Sequence, residues 1–314
     1  MNKTYLLAAT LLAGCPLAVQ AQINAPAPTL PAAPALPAAP VSAAQTLTLR
    51  LKFTPGQTLY YSLTTDTNGT MLTGQSGAGM PIQVHMQMLM HQTVKDVRAS
   101  DGAATLDVGI DTMSMGMSGQ TMPIPPERMA QMKTIGTMVI LPTGKTVSFT
   151  PSTALSAMGP MPGMDLSHAN AMGSMGQFPD APVKIGDTWK SAIAAGMMGM
   201  QVSSTFSLTS LNVADGKTIA IIHQTTDGAF GGPSADGAAA LGPGGMKMSG
   251  TVKGMGTLRF DVDAGTVVGQ TSQADVAMTM MPPGATAPMK MQMKAHSTLA
   301  RASAPAPVAN PAVQ

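Results

Sequence analysis

Met158, Met161, Met164, His168, Met172 and Met175 form the most suggestive donor set in the chain, spaced by threes and fours. Thioethers are soft ligands that select Cu(I), while imidazole and carboxylate suit harder ions. Asp165 and His168 could supply those for Cu(II). Gly159-Pro160 and Pro162-Gly163 break any helix before Met164, so the six cannot share one helical face. Asp165 can cap a short helix running to Met175, which would leave His168, Met172 and Met175 as neighbours. Copper is thus one reading of this segment. The plainer reading is an apolar loop packed on a sheet, because Met-x-x-Met spacing arises by chance in a chain with 30 methionines.

The other methionines follow a different period. Met86, Met88 and Met90, then Met113, Met115 and Met117, then Met289, Met291 and Met293 recur every second residue. A strand places each such set on one face of a sheet. Burying a Met gains about 1.5–3 kcal/mol, much as Leu does. Fixing it costs about 1.5–2 kcal/mol of rotamer entropy against about 0.5–1 for Leu. A Met-bearing face is therefore poorly explained by stability alone; what the side chain offers is adaptability to irregular or changing contents. Plain core and the wall of an apolar ligand cavity both fit the spacing. The leading functional reading is a non-enzymatic exported protein that binds an apolar ligand or a partner surface through these faces, and copper handling is the alternative.

Catalytic constellations are missing from the sequence pattern. His85, His91, His223 and His296 stand apart, with no Cys or carboxylate at zinc-ligand spacing. There is no Gly-x-Ser-x-Gly elbow. Gly231 to Gly245 is glycine-rich but lacks the Lys-Ser/Thr ending of a phosphate loop. Glu127 is the sole glutamate. Neither an enzyme nor a bound cofactor is expected. Charged residues make up 10% of the chain and the formal net charge is +2. Without a basic cluster, nucleic acid is not expected as a partner.

The N-terminus carries an export signal. Lys3 is a short positive region, and Tyr5 to Leu12 is apolar but too short to span a bilayer. Two processing outcomes stay open. Leu12-Ala13-Gly14-Cys15 reads as a lipobox, which would put a lipid anchor on Cys15, the only cysteine, and lead to an outer-membrane lipoprotein. Alternatively, cleavage between Ala21 and Gln22 would release a periplasmic or extracellular protein; Val19 and Ala21 supply the small side chains that a signal peptidase needs, and Pro16 favours this outcome. The expected organisation is a signal peptide over 1–21, a Pro/Ala tether over 22–45, a β-rich domain over 46–302 and a disordered tail over 303–314. The tether and tail compositions favour extended, unpacked chain.

Strand signals fill the domain. Leu47, Leu49, Leu51 and Phe53 alternate, Pro55-Gly56 turns, and Thr58 to Thr67 reads as their partner strand. Asp101-Gly102 is a hairpin signal, followed by Leu106, Val108 and Ile110 on one face. Met113, Met115 and Met117 have the opposite parity, which predicts a bulge near Asp111. Pro125 to Thr134 reads as a short helix, and Met138 to Phe149 as a hairpin around Thr143-Gly144. The order then recurs: Val202 to His223 mirrors Val94 to Ile110, and Met255 to Val267 mirrors Ile135 to Val147. Thr266 to Met281 and Met289 to Leu299 complete the domain. The expected fold is mainly β, an antiparallel sheet of about ten strands from two diverged units, with one or two short helices.

Three segments also carry a resemblance. Leu51-Lys52-Phe53-Thr54-Pro55-Gly56, Asp101-Gly102-Ala103-Ala104, and above all Phe178-Pro179-Asp180-Ala181-Pro182-Val183-Lys184-Ile185-Gly186-Asp187-Thr188-Trp189 resemble domain-of-unknown-function family 6263, a group of exported bacterial β proteins. The resemblance spans roughly Thr46 to Arg301. It implies an antiparallel β domain, with the half-barrels of lipoprotein carriers as one architecture open to it, and it implies no activity. The chain departs from the pattern in its few charges and in the Met-rich stretch from Met158 to Met175. Pro179 and Pro182 force extended backbone, Gly186-Asp187 turns, and Trp189 starts a strand as a core anchor.

Overall fold

The computed structural model describes residues 45–72, 79–122, 124–153, 177–195, 200–214, 216–230, 241–242, 246–281 and 287–305. The donor set from Met158 to Met175, Cys15 and the Ala21–Gln22 bond lie outside them.

Among the described residues, thirteen strands form one antiparallel sheet. In chain order they are β1 (Thr58–Leu72), β2 (Gly79–Val97), β3 (Ala104–Met117), β4 (Gln120–Met122), β5 (Gly136–Ile140), β6 (Thr146–Pro151), β7 (Thr188–Ala195), β8 (Met200–Ala214), β9 (Lys217–Phe230), β10 (Leu241–Gly242), β11 (Met246–Asp261), β12 (Thr266–Met281) and β13 (Met289–Ala302). The order across the sheet is β6-β5-β3-β2-β1-β13-β12-β11-β9-β8-β7, with β4 beside β3 and β10 beside β11. Two meanders of matching order, β1 to β6 and β7 to β12, therefore lie side by side, and β13 fills the seam between them. This is the two-unit architecture the sequence suggested, with more strands than the ten expected. One helix occurs among the described residues, α1 (Pro126–Met132), started by proline at its first turn.

Period-two alternation makes the strands and assigns their faces. In β13, Met291, Met293, Ala295, Ser297 and Leu299 are buried while Lys290, Gln292, Lys294 and His296 are exposed. Register carries this inner face from strand to strand, because directly opposed residues share a face. Asp111 is the extra residue of a bulge: Leu89 faces Thr112 and Met90 faces Ile110. The bulge puts Ile110 and Met113 on the same inner face despite their opposite parity, as the methionine spacing required.

The sheet is open but strongly curled. Consecutive backbone amides show it: Leu51 N donates to Pro142 O (2.7 Å), in the β5–β6 hairpin, and Lys52 N donates to Gly265 O (3.0 Å), in the β11–β12 hairpin. Those hairpins stand on opposite sides of the β1–β13 seam. Residues 45–57 are thus a strap across one end of the sheet. Leu47 to Phe53 alternate like a strand, yet they do not pair with β1 as expected. Leu47 bridges Val183 instead, and the alternate side chains fill the mouth: Leu49 is fully buried beside Phe178, Val183 and Phe260. Strand β1 takes β2 and β13 as its neighbours. The Phe178 and Phe260 rings lie 4.6 Å apart. Trp189 serves as an anchor here, half-buried, stacked on Phe206 at 5.7 Å, with Nε1 donating to Gln177 O at 2.6 Å.

Candidate functional site: the inner wall of the sheet

Reading inner positions across the register gives three zones. Next to the strap lies the aliphatic and aromatic core of Leu59, Tyr61, Leu208, Ile222, Leu258, Phe260 and Leu299. At the far end lies a cluster rich in thioethers: Met71, Met278, Met291 and Met293 are buried with Ile82, Val84, Val252 and Val276, and Met115, Met117 and Met280 pack against them. One transverse row there runs Met80–Met71–Met291–Met278 across four adjacent strands.

Between the two apolar zones runs a belt of small polar side chains. Thr65, Thr67, Ser297, Ser272, Thr226, Ser204 and Ser191 are all buried, each 6% exposed or less. Most of them satisfy one another. The hydroxyls of Thr65 and Ser297 share a hydrogen bond (3.0 Å), as do those of Ser204 and Thr226 (2.8 Å). Gln224 Nε2 donates to both Ser204 Oγ and Thr226 Oγ1 (3.1 Å each). Ser272 Oγ donates to Ser297 O (3.4 Å), and Ser191 Oγ donates to Gln177 Oε1. Thr67 Oγ1 stands apart, buried with no partner among the described residues. Cross-strand alanines and a glycine flank it: Thr67 faces Ala295, Ala295 faces Ala274, and Ala274 faces Gly254.

The methionines expected on sheet faces are brought together here. Met86 faces Met115 and Met88 faces Met113 across β2 and β3, and Met291 and Met293 continue the wall on β13. Met86 is buried, but Met88, Met90, Met113, Met115 and Met117 are each half-buried. These five leave apolar surface available on the β2–β3 side. Met71, Met278 and Met280 were missed by the sequence reading, as was the belt. A β1 strand ending at Thr67 excluded Met71, and hydroxyl side chains carry no apolar period to follow.

Ionisable groups avoid this wall. Arg301 is the one charged residue among the described inner positions, and it is exposed at the strap end. Burial pushes the Tyr61 phenol above its ordinary value, with Arg301 drawing it part of the way back, so the phenol stays neutral. The four described histidines, His85, His91, His223 and His296, lie on the outer face. Two that looked isolated in sequence have carboxylate partners: His85 Nδ1 is 2.6 Å from Asp66 Oδ1, and His91 Nδ1 is 2.9 Å from Asp111 Oδ2. Among the described residues, no three His, Cys, Asp or Glu side chains are grouped to hold a metal ion. No helix among them is long and apolar enough to cross a membrane. A polar cleft of about 570 Å³ opens by the strap, lined by Arg50, Lys145, Phe178, Pro179, Trp189 and Lys190 among others.

No family model matches the chain, and no curated protein matches it. Among solved structures, the chain is similar to lipovitellin, in a structure describing its lipid–protein interactions: 8% identity, a TM-score of 0.46, and 82% of this chain against 26% of that one. It therefore spans about a quarter of the lipovitellin chain. A LolA-superfamily protein from Nitrosomonas europaea matches at 9% identity and TM-score 0.14, covering 81% of this chain and 90% of that one. A DUF1329 family protein from Desulfovibrio piger matches at 10% identity and TM-score 0.14, covering 77% and 84%.

Proposed function

We propose that this is a non-enzymatic protein of the bacterial envelope, of the exported kind that the Phe178–Trp189 segment resembles, and that it holds an apolar ligand against the inner wall of its sheet. The observation that carries the reading is the placement of the methionines. Strands β2, β3, β12 and β13 all turn thioethers to one face, and Met88, Met90, Met113, Met115 and Met117 on the β2–β3 side are only half-buried. A wall of flexible, polarizable side chains can repack around contents of varying shape. The uncharged inner surface suits such contents.

Native mass spectrometry of protein purified from its exporting host tests the reading. Adducts of lipid mass that dissociate on activation are expected. Bare protein mass, together with no binding of the neutral dye N-phenyl-1-naphthylamine, would reject it. Sequencing of the mature N-terminus separates lipidated Cys15 from a chain beginning at Gln22.

A second reading, soft-metal binding, draws on the Met80–Met71–Met291–Met278 row. Neighbouring Cβ atoms in such a row lie about 4.5–5.5 Å apart, so thioethers from adjacent strands can converge on one Cu(I). Anaerobic competition with a chromophoric Cu(I) chelator should show binding that is lost when Met71, Met278 and Met291 become Leu. Retention in that variant would return copper to the Met158–Met175 segment, and no competition by the wild type would dismiss it.

A further inference from the structure

We infer that the ligand held on this wall carries an uncharged hydrogen-bonding group that Thr67 recognises: it is a neutral amphiphile, such as a monoacylglycerol, and not a fatty acid or a phospholipid. The inference rests on the apolar-ligand reading above and narrows it.

Thr67 supplies the first observation. Thr67 is 2% exposed on the inner face and its hydroxyl meets no partner among the described residues, while Thr65, one pleat away, is satisfied by Ser297. Buried polar groups in folded proteins are nearly always hydrogen-bonded, so an orphan calls for an explanation. The residues beside it cannot answer it, since Val84 and Ala295 oppose Thr67 on its two sides and have no polar side-chain atoms. A ligand hydroxyl or ester oxygen in front of Thr67 can.

Shape supplies the second. From Thr67 the wall is lowest through Ala295, Ala274 and Gly254, where side chains are smallest. On the far side of this row stand Met293, Met291 and Met278. Ala295 and Ala274 are 3% exposed and Met291, Met278 and Met293 3–4%, so a ligand would reach this row only by displacing the thioethers, whose flexibility lets them repack around an acyl chain.

Charge supplies the third. Arg301 is the only ionised side chain on the described inner positions, and it stands at the strap end of β13, several residues along the strand from Ala295. A carboxylate or phosphate brought to Thr67 would lose its hydration and find no counter-charge. A neutral head loses less and regains a hydrogen bond. The same absence of charge that admits an alkyl chain therefore selects against an ionised lipid.

The test uses mature, delipidated protein with N-phenyl-1-naphthylamine as reporter and three competitors: 1-monopalmitoylglycerol, palmitate at pH 8, and hexadecane. The glycerol ester should displace the dye at about tenfold lower concentration than palmitate. Thr67→Val, which keeps the shape and removes the hydroxyl, should weaken the ester by about fivefold relative to hexadecane, the worth of one ordinary hydrogen bond. Thr67→Ser should restore the ester. Palmitate competing as well as the ester, or an ester affinity unchanged in Thr67→Val, would overturn the inference. If the Val variant does not fold, the palmitate comparison and Thr67→Ser still decide. Failure of the wild type to bind dye and hexadecane at all is a different result, because it rejects the apolar-ligand reading itself.

Discussion

Lys95 in β2 and Thr209 in β8 occupy the same place in two copies of one hairpin. Each is the unpaired extra residue of a bulge, and each precedes, at equal distance along the chain, a glycine of nearly equal φ: +70° at Gly102 and +71° at Gly216. The turns leading into the hairpins match as well. Gly56 N donates to Val94 O and Gly186 N to Leu208 O, both at 2.8 Å. The next hairpins repeat the device, with Val147 after Gly144 and Val268 after Gly265 as the extra residues. A bulge fixes register and sharpens twist, so the two units bend alike and their sum is a curled sheet.

Equivalent glycines in unequal surroundings should respond unequally to substitution. A Cβ at Gly216 meets nothing within 4 Å, whereas one at Gly102 lies 3.0 Å from Pro142 Cγ. Gly216→Ala should cost about 1–2 kcal/mol, the left-handed penalty alone. Gly102→Ala should cost more, because the β5–β6 hairpin must also give way. Urea midpoints of the two variants check the order, and equal shifts would contradict it.

Leu49 is expected to be the most sensitive residue of the strap. It is fully buried among residues from both units. Leu49→Ala should lower stability by about 2–5 kcal/mol, with Trp189 fluorescence and far-ultraviolet circular dichroism moving together. Separate transitions would mean that the strap detaches before the sheet melts.

How far the sequence discloses this architecture depends on the range of the interaction. The bulge at Asp111 is legible because it is local: the parity change between Ile110 and Met113 has to be absorbed somewhere between them. The hairpins at Gly102 and Gly144 are legible for the same reason. Leu47 to Phe53 mislead because alternation records one-sided burial and not pairing; a strap lying across a mouth alternates just as a strand does. Pairing of Thr67 with Ala295 leaves no local trace. The three zones of the wall arise only when the register of many strands is combined, so Thr67 looks in sequence like any other strand threonine.

Acid should spare the β2–β3 hairpin until very low pH. The Arg98 guanidinium, which reaches Asp101 at 2.8 and 2.6 Å, and the Ala103 amide hold the Asp101 carboxyl down to about 2. A depressed carboxyl contributes stability that is complete above its unfolded value, near 3.8, and is lost as pH falls through about 2. A carbon-detected NMR titration of Asp101 should therefore show its midpoint near 2. A midpoint near 4 would place the pair in free exchange with water. Arg98→Gln should move the midpoint upward.

Neighbouring residues on opposite faces of β3 offer a direct check of the wall. Met115 is half-buried on the inner face and Ser114 is exposed on the outer. Ser114→Glu should change stability by no more than about 0.5 kcal/mol and leave dye binding intact. Met115→Glu should abolish binding of N-phenyl-1-naphthylamine, because a carboxylate on that wall has no counter-ion. Equal effects of the two changes would remove the β2–β3 side from the site.

The seam between β1 and β13 ties the first strand of the sheet to the last. Thr65 and Ser297, which share a hydrogen bond there, are 232 positions apart. A chain delivered from its N-terminus thus presents β1 with one permanent neighbour, β2, and an open edge that nothing can cover until the final strand arrives. Either meander can form as it emerges, but the two cannot be joined early. The strand that completes the sheet is therefore also a check on delivery. A chain truncated before β13 keeps both half-sheets and their bare central edges, which are templates for pairing with other chains. In such a topology an unfinished molecule is marked for aggregation or proteolysis by its own architecture.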